Sequence, residues 1–324
     1  MLVIAEVGNN HEGDVGRARE LVQAAAEAGA DAVKFQTYRT ELFVRPADAE
    51  RFARLRSFEL SQEDFASLAD LARELGLLFV STPLDLESAA FLEETADAVK
   101  IASGDNTFYP LLEHVASSEK PMIVSTGLID GDEAAEVLAF VRRFRPAGAE
   151  VALLHCVTAY PAAPEDVHLR AIAELAGRLD CTIGYSDHTL GVEACVAAVA
   201  VGARILEKHF TLDPPPSDFR DHALSARPQE LAELVRRVRA AETLLGEGGK
   251  RAQPSELALN EAVRRSIAAR SDLPAGHVLR LGDLTWLRPG GGIAPGREDE
   301  VVGRALVRAY AAGEILRLDD LIDS

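Results

Sequence analysis

Apolar runs of strand length alternate with helical segments eight times between Leu2 and Gly246. The strand-like runs are nearly all apolar, which is typical of parallel strands buried on both faces. Eight such units in about 245 residues predict a (β/α)₈ TIM barrel. An open, doubly wound sheet is the alternative, but no GxGxxG fingerprint follows any of the runs. The predicted strands are LVIAEV, DAVKFQT, LLFVSTP, AVKIASG, PMIVSTG, VALLHCV, TIGYSDH and RILEKHF.

The sequence changes character after Gly246, where GEGGKRAQPSE is polar and rich in breakers of regular structure. We therefore predict a catalytic barrel domain over residues 1–245, a linker over 246–262 and a second domain over 263–324. The second domain contains an internal repeat, because Leu273–Leu284 (LPAGHVLRLGDL) matches Tyr310–Leu321 (YAAGEILRLDDL) at a fixed offset. Two β-rich halves of this kind predict a small β-clip domain with pseudo-two-fold symmetry.

Composition narrows the function classes. The formal net charge of −18 argues against nucleic acid or an anionic membrane as the main partner, although a local cluster of Lys and Arg can still bind an anionic small molecule. The three cysteines have no metal-finger spacing and suggest reduced thiols in a cytoplasmic protein. The start MLVIAEVG lacks the basic segment of a signal peptide, and the longest small-apolar run, Ala194–Leu206, is too short to span a bilayer. We expect a soluble cytoplasmic protein.

Polar side chains end almost every predicted strand, although the strand interiors are apolar. In a TIM barrel the active site lies at the C-terminal ends of the strands, so these side chains are the candidates for chemistry. A purely structural barrel would have no need to place such groups at one rim. They are Glu6, Lys34, Gln36, Ser81, Thr82, Lys100, Ser103, Asp105, Ser125, Thr126, His155, Thr158, Tyr160, Ser186, Asp187, His188, Glu207 and His209.

Two of these residues suggest a metal site. His188 and His209 end neighbouring predicted strands, which lie about 5 Å apart in a sheet, so both can share one ion. With carboxylates nearby, they suit a divalent first-row ion that keeps positions open for water and substrate, since a closed structural zinc site would want four ligands. Two separate, hydrogen-bonded histidines are the alternative.

Lys34 and Lys100 project from predicted strands two and four, where a lysine is costly unless it is paired or catalytic. Two cations surrounded by the hydroxyls of Thr82, Ser103, Ser125 and Ser186 fit a phosphate or carboxylate group. A Schiff-base lysine, as in class I aldolases, is a second interpretation and would need no metal. Salt bridges to rim carboxylates are a third.

Nine motifs follow one another along nearly the whole chain: IAEVGNNHEG, GADAVKFQT, STP, KIASGD, STG, LLHCVTAYPA, GYSDHT, ILEKHF and RRS with LRPGGGI. Together they resemble the sialic acid synthase family. The resemblance implies condensation of phosphoenolpyruvate with an N-acetylated sugar such as N-acetylmannosamine, giving a nine-carbon 2-keto-3-deoxy acid and phosphate. It also implies a C-terminal antifreeze-like (SAF) domain that begins near Arg264.

The resemblance further implies roles for individual residues. A Mn²⁺-type ion, with Mg²⁺ or Co²⁺ as alternatives, would bind His188 and His209. Glu6 or Asp105 would manage protons at the reacting centre. Arg288 would reach from the SAF domain of a domain-swapped homodimer partner to the sugar's N-acetyl group. Phosphoenolpyruvate would be held by Lys34, Thr82, Lys100, Ser103, Ser125 and Ser186, and the sugar would contact Thr158, Tyr160 and Asp221.

Three departures from the family pattern fall where the sugar would sit. Asp105 replaces a Glu, and Thr158 and Ala159 replace an Asn-containing segment. The segment after His209, TLDPPPSDFRDHALS, differs from the usual approach to Asp221. These departures leave the identity of the acceptor sugar open among N-acetylmannosamine, its 6-phosphate and related precursors. A non-enzymatic alternative makes the SAF module a carbohydrate- or ice-binding surface with the barrel as its scaffold, but the populated barrel rim argues against it.

Overall fold

The computed structural model describes residues 1–212, 217 and 219–323, and the chain divides into two compact units, Met1–Gly246 and Glu247–Ser324. The first unit is a closed barrel of eight parallel strands in sequence order, in which β1 pairs with both β2 and β8. The predicted TIM barrel is therefore confirmed, and closure excludes the open sheet. The strands are β1 Leu2–Gly8, β2 Ala32–Thr37, β3 Leu78–Pro83, β4 Ala98–Ile101, β5 Met122–Ser125, β6 Val151–Cys156, β7 Thr182–Asp187 and β8 Ile205–His209.

Helices follow the strands and cover the barrel from outside. A cluster of buried Val, Leu, Ile, Phe and Ala side chains fills the space between strands and helices. Sequence-encoded caps begin several helices, among them the Ser61 and Asp130 capping boxes. The helices are α1 Val15–Glu27, α2 Thr40–Phe43, α3 Ala49–Phe58, α4 Gln62–Glu74, α5 Leu86–Thr95, α6 Tyr109–Ala116, α7 Gly131–Arg142, α8 Arg170–Arg178, α9 Glu193–Ala200 and α10 Pro228–Leu245.

A second, smaller apolar cluster lies inside the barrel. Side chains alternate between the two faces of a strand, so a residue two positions further along points to the same side. Gly184 marks the place of β7 in this layer, because a Cβ there would lie 2.5 Å from both the Leu154 side chain and the Ile205 carbonyl oxygen. Inward-pointing positions two residues further toward the C-terminal strand ends are occupied by polar residues on several strands. The inner layer is Ile4, Ala32, Val80, Ala98, Ile123, Ala152, Leu154 and Ile205.

The second unit consists of short antiparallel strand pairs around its own core. Strand β9 (Ser266–Ala269) pairs with β10 (Leu284–Leu287), and β11 (Arg304–Leu306) pairs with β12 (Leu321–Asp323). Leu273 and Tyr310, the first residues of the two sequence repeats, exchange backbone hydrogen bonds of 2.8 and 2.9 Å with each other. The small C-terminal β domain predicted from the repeat is confirmed. Two short helices, α11 (Pro254–Leu257) and α12 (Asn260–Val263), precede β9.

Helices in two segments were not predicted: α11 and α12 at the predicted linker over residues 246–262, and α2 and α3 after β2. Helices α2 and α3 occupy the connection between β2 and α4, where the sequence analysis assigned no regular structure. Helix α3 contains no buried residue, so packing against the core does not account for it. In the described part of the chain, no helix is both long and apolar enough to cross a membrane.

Candidate functional site

A cavity of about 920 Å³ opens at the C-terminal ends of the barrel strands. This is the position at which TIM-barrel enzymes place their active sites. The inner apolar layer and the cavity residues come from the same strands, since Glu6, Thr82 and Ser125 each lie two residues beyond an inner-layer residue. Most of the predicted site residues line the cavity: Glu6, Lys34, Thr82, Lys100, Ser103, Ser125, Tyr160, Ser186, His188, His209 and Asp221.

Four ionisable side chains meet in the deepest part of the cavity, and we call Glu6, Lys34, Lys100 and Glu207 the charged floor. Lys34 Nζ lies 3.0 Å from Glu6 Oε2 and 3.4 Å from Glu207 Oε1, and Lys100 Nζ lies 3.8 Å from Glu207 Oε2. All four side chains are at most 5% exposed. Because they are excluded from water, each one depends on the others for compensation of its charge.

The two carboxyl groups of the floor differ in protonation. Burial, only partly offset by Lys34, raises the pKa of Glu6 to about 7. Burial also disfavours the charge on Glu207, but the attraction of Lys100 and Lys34 outweighs it and lowers the pKa of Glu207 to about 2. Glu207 also accepts a 2.9 Å hydrogen bond from Ser186 Oγ. One carboxyl group is therefore fixed as an anion, while the other can exchange a proton near neutral pH.

The two lysines of the floor also differ. Burial disfavours the ammonium of Lys34, but Glu207 and Glu6 more than compensate and raise its pKa. Burial, helped by the positive charge of Lys34 and opposed by Glu207, lowers the pKa of Lys100. Lys100 Nζ donates to Ser125 Oγ at 2.6 Å, and Lys34 Nζ donates to Thr82 Oγ1 at 3.3 Å.

The structure brings His188 and His209 together, with their ring centroids 5.4 Å apart. His188 Nδ1–H donates to the carbonyl oxygen of Val157 at 2.8 Å, which leaves Nε2 free to accept or to ligate. His209 Nδ1 is buried and has no hydrogen-bond partner among the described residues. Burial and the neighbouring His188 hold the pKa of His209 well below its ordinary value, so its imidazole is neutral.

The donor set around these imidazoles is small. Within residues 1–212, 217 and 219–323, no group of three or more His, Cys, Asp or Glu side chains is arranged to hold a metal ion. The pair offers two nitrogen ligands, and an ion bound there would need water or substrate oxygens to complete its coordination. His209 offers a buried Nδ1 without a hydrogen-bond partner among the described residues. His188 offers Nε2, because its Nδ1–H is held by the Val157 carbonyl oxygen. Both nitrogens fit such an open site.

One wall of the cavity comes from the unpredicted helix α3. Arg51, Arg54, Leu55 and Phe58 all line the cavity, and their i, i+3, i+4, i+7 spacing places them on one helical face. We call these four residues the α3 wall. The spacing is visible in the sequence, and the segment AERFARLRSF is rich in good helix formers, so this helix could have been predicted.

A neighbouring part of the cavity wall is formed after β8, where the ring of Phe219 lies 5.3 Å from the ring of Phe58 on α3. Arg220 packs over the ring of Tyr160, with the guanidinium carbon 4.7 Å from the ring centroid, and its Nε lies 3.0 Å from Asp221 Oδ1. The Tyr160 ring in turn lies 4.1 Å from the ring of His188. Tyr160, Asp221 and the histidines thus face the same space.

The loop after β1 holds this β8 segment in place. Glu12 Oε1 accepts from His222 Nε2 at 2.9 Å, and His222 Nδ1 lies 2.7 Å from Thr211 Oγ1. Asn10 Nδ2 donates to the Phe210 carbonyl oxygen at 2.8 Å. The contacts made by Glu12 and Asn10 join parts of the chain 210 and 200 residues apart, and no local sequence pattern predicts them.

Three predicted residues lie elsewhere. Asp105 and Thr158 are not among the described residues that line the cavity, and Arg288 belongs to the second unit, directly after β10. Burial raises the pKa of the Asp105 carboxyl group. Thr158 is nevertheless close to the site, because a Cβ on Gly127 would lie 2.3 Å from Thr158 Oγ1 and 2.6 Å from the Oγ of the cavity residue Ser103. The roles given to these three residues stay predictions.

The fold and this site define a class of protein, and comparison with known proteins identifies it: the chain belongs to the NeuB family, whose profile matches residues 21–250. The SAF domain profile matches residues 264–322. The resemblance to sialic acid synthases found in the sequence is therefore confirmed.

Individual relatives are similar over most of the chain. An N,N'-diacetyllegionaminic acid synthase of Legionella pneumophila is 41% identical, covering 97% of this chain and 92% of that protein. An N-acetylneuraminate-9-phosphate synthase of Mus musculus is 38% identical, covering 87% of this chain and 82% of that protein. A crystal structure of an N-acetylneuraminic acid synthetase from Leptospira borgpetersenii superposes with a TM-score of 0.74 at 35% identity, covering 79% of this chain and 89% of that one.

Proposed function

We propose that this chain condenses phosphoenolpyruvate with an N-acetylated hexosamine, N-acetylmannosamine or a related sugar, and water. The products are a nine-carbon 2-keto-3-deoxy sugar acid and phosphate. Similarity to proteins named as legionaminic acid and N-acetylneuraminate-9-phosphate synthases supports this reaction class. The charge balance of the floor is the observation that carries the proposal.

The charged floor has an excess of positive charge when Glu6 is protonated. Two ammonium groups then face only one charged carboxylate, Glu207. A phosphate or carboxylate of the substrate supplies the missing negative charge, and in a buried site that compensation is worth far more than in water. We assign phosphoenolpyruvate to this floor, with hydrogen bonds from the surrounding hydroxyls of Thr82, Ser103, Ser125 and Ser186.

The reaction needs a carbon–carbon bond and the loss of phosphate. The methylene carbon of phosphoenolpyruvate attacks the open-chain sugar aldehyde, water adds at the phosphate-bearing carbon, and phosphate leaves by C–O cleavage. Lys34 and Lys100 stabilise the anionic groups throughout. Glu6, with a pKa of about 7 and a place on the floor, is better suited than Asp105 to exchange protons at the reacting carbons.

His188 and His209 are the residues that would hold a divalent ion, Mn²⁺ in our proposal, with Mg²⁺ and Co²⁺ as alternatives. Such an ion supplies Lewis-acid polarisation of the aldehyde oxygen when bound. Tyr160, Asp221 and Thr158 would orient the sugar next to it. In the same proposal the enzyme is a domain-swapped homodimer, and Arg288 of the partner subunit binds the N-acetyl group through its fork of donors.

Phosphate release tests the reaction. Purified protein is incubated with phosphoenolpyruvate and one N-acetylated hexosamine at a time, with Mn²⁺ or with EDTA. We expect release only with a sugar and with metal. Lys34→Met should lower kcat/KM by roughly 30- to 1000-fold, since one charge-assisted contact to a buried anion contributes about 2–4 kcal/mol. Lys250→Met, which changes an exposed lysine outside the cavity, is the matched control.

Two further measurements separate the rival interpretations. Borohydride reduction in the presence of pyruvate or phosphoenolpyruvate, followed by mass spectrometry, should leave Lys34 and Lys100 unmodified. A reduced adduct would favour the Schiff-base aldolase, and Lys100 is the lysine to inspect first because its pKa is lowered. Calorimetric titration with Mn²⁺ should show one site per chain that His188→Ala and His209→Ala each remove. Undiminished Mn²⁺ binding in both variants would refute the metal assignment.

A further inference from the structure

The loop after β1 contains a glutamate in a backbone conformation that favours glycine. Glu12 has a φ of 51°, in the left-handed region that other residues occupy only at a cost. Glycine would adopt this conformation without that cost, as the next residue, Gly13, does with a φ of 78°. Such strain persists only where surrounding contacts hold the residue, so the contacts of the Glu12 side chain must supply the compensation.

Glu12 binds the segment that follows β8 at two points. Its Oε1 accepts from Ser217 Oγ at 2.6 Å and from His222 Nε2 at 2.9 Å. Burial disfavours the charge on Glu12, but these two hydrogen bonds outweigh it and lower the pKa of its carboxyl group. His222 is also held on its other side, since its Nδ1 lies 2.7 Å from Thr211 Oγ1. One carboxylate oxygen thus contacts residues at both ends of the stretch 217–222.

The segment that Glu12 holds supplies part of the cavity wall. Four of its residues line the cavity: Ser217, Phe219, Arg220 and Asp221. Asn10, in the same loop as Glu12, reinforces the hold, because its Nδ2 donates to Ser225 Oγ at 3.0 Å. Ser225 Oγ in turn donates to the Asp221 carbonyl oxygen at 2.6 Å. Glu12 is not among the described residues that line the cavity, so its contribution to the site is indirect.

The loop after β1 is also fixed against helix α3. A Cβ on Gly13 would lie 2.1 Å from the Ser57 carbonyl oxygen, so the backbone of the loop packs directly on the end of that helix. Phe219, in the segment after β8, packs edge-on against Phe58, with the ring centroids 5.3 Å apart. Both elements of the cavity wall are therefore joined to the loop that leaves β1, the strand that carries Glu6.

We propose that Glu12 is a positioning residue that sets the affinity for the acceptor sugar without touching it. By holding Ser217 and His222, it keeps Asp221 facing the cavity in the free enzyme. If the segment were not held, the binding-competent arrangement would be less populated, and the apparent affinity for the sugar would fall by that fraction. The inference rests on the proposed function, in which the sugar contacts Asp221 and phosphoenolpyruvate binds the charged floor.

Steady-state kinetics of Glu12→Gly test the inference, because this variant removes both contacts and relieves the left-handed backbone. It should raise the KM for the N-acetylated hexosamine that supports phosphate release roughly 5- to 50-fold, and the KM for phosphoenolpyruvate less than about twofold. Glu12→Gln keeps an acceptor oxygen and should stay within about threefold of the wild type. His168→Gly is the matched control and should change neither KM. His168 also has a positive φ, 43°, but it is exposed and not among the described residues that line the cavity.

Hydrogen exchange followed by mass spectrometry gives a readout that needs no turnover. Peptides covering residues 219–226 should exchange roughly tenfold faster in Glu12→Gly than in the wild type or in His168→Gly. Backbone bonds of this segment, such as the 2.7 Å bond from Ala226 N–H to the His209 carbonyl oxygen, would open more often. If Glu12→Gly does not fold, His222→Phe keeps a ring but loses the donor to Glu12, and it should show the same rise in exchange and in the KM for the sugar.

The outcomes are distinct. Unchanged exchange of the segment overturns the inference. Faster exchange without a rise in the KM for the sugar also overturns it, because Glu12 would then stabilise the segment and not the site. An equal rise in the KM for phosphoenolpyruvate overturns it as well, since the effect would not be confined to the sugar. Absence of turnover by the wild-type protein with every sugar counts against the proposed function alone. Faster exchange in Glu12→Gly would then still support its hold on the segment that carries Asp221, and unchanged exchange would refute it.

Discussion

Replacing Lys208 with Met should destabilise the barrel strongly, because it breaks a buried ion pair on the outer face of the strands that carry the histidines. Lys208 Nζ lies 2.9 Å from Asp187 Oδ2, and the two side chains are 1% and 0% exposed. Lys208 directly precedes His209, and Asp187 directly precedes His188, so the pair ties the two strands together behind the site.

The magnitude follows from what the substitution leaves behind. Asp187 would keep hydrogen bonds from the Tyr185 hydroxyl at 3.0 Å and the Thr189 backbone N–H at 2.8 Å, but no cation would face its charge. Removing one partner of a buried pair costs about 3–5 kcal/mol. At about 2–4 °C per kcal/mol for a domain of this size, the thermal midpoint should fall by roughly 6–20 °C.

The assay is urea and thermal unfolding of the full chain, followed by circular dichroism. The double variant Lys208→Met/Asp187→Asn should recover much of the loss, since it also removes the uncompensated charge. Arg236→Met breaks an exposed pair with Glu233, of which the two side chains are 69% and 46% exposed, and should cost less than about 1 kcal/mol. If Lys208→Met unfolds within 1 kcal/mol of the wild type, the reasoning about the buried pair is wrong.

Two further predictions concern the β1 loop and the second unit. Burial, reinforced by Arg17, lowers the pKa of His11 to about 4 from an ordinary value of 6.5, so between these pH values the unfolded chain binds a proton that the folded chain does not. The free energy of unfolding should therefore fall by roughly 3 kcal/mol as the pH drops from about 6.5 to about 4. His11→Gln should flatten the curve of unfolding free energy against pH. An unchanged slope in that variant would contradict the attribution to His11. If the proposed domain-swapped homodimer forms, mixing Arg288→Ala protein with His188→Ala protein should restore part of the activity that each lacks, because a mixed dimer would then have one intact barrel facing one intact arginine. No recovery after verified subunit exchange would show that the arginine does not act across subunits.

The positions of the strand-end residues could be predicted because a parallel barrel imposes them. When eight parallel strands close into a barrel in sequence order, their C-terminal ends form one rim. Because side chains alternate between the two faces of a strand, the position of a strand-end Lys or His decides whether it points into the barrel. The pairing of Glu6 with His209 across β1 and β8 follows from closure alone. Lys34, Lys100 and the two histidines were found on this basis, without any contact being visible in the sequence.

The walls of the cavity could not be predicted in the same way. Helix α3 lies in a connection, where length and direction depend on tertiary contacts and not on a repeating pattern. The bond between Glu12 and His222 spans 210 residues, and it exists only because β1 and β8 are neighbours in the closed barrel. Sequence reasoning therefore identified the residues of the charged floor better than those of the cavity walls.

The protonation of Glu6 illustrates why the floor itself needs three dimensions. Glu6 and Glu207 are both buried glutamates near lysines, and the sequence gives no reason to distinguish them. In the structure Glu207 lies within 4 Å of both lysines, whereas Glu6 has only Lys34 in that range. The second lysine is what holds Glu207 as an anion, and its absence from Glu6 leaves that carboxyl group with a pKa of about 7. Ile4, two residues before Glu6 on β1, belongs to the apolar layer inside the barrel. Water therefore cannot reach Glu6 from that side to stabilise its charged form. The asymmetry in lysine placement, together with the hydrogen bond from Ser186 to Glu207, thus produces one fixed anion and one proton-exchanging group from two identical side chains.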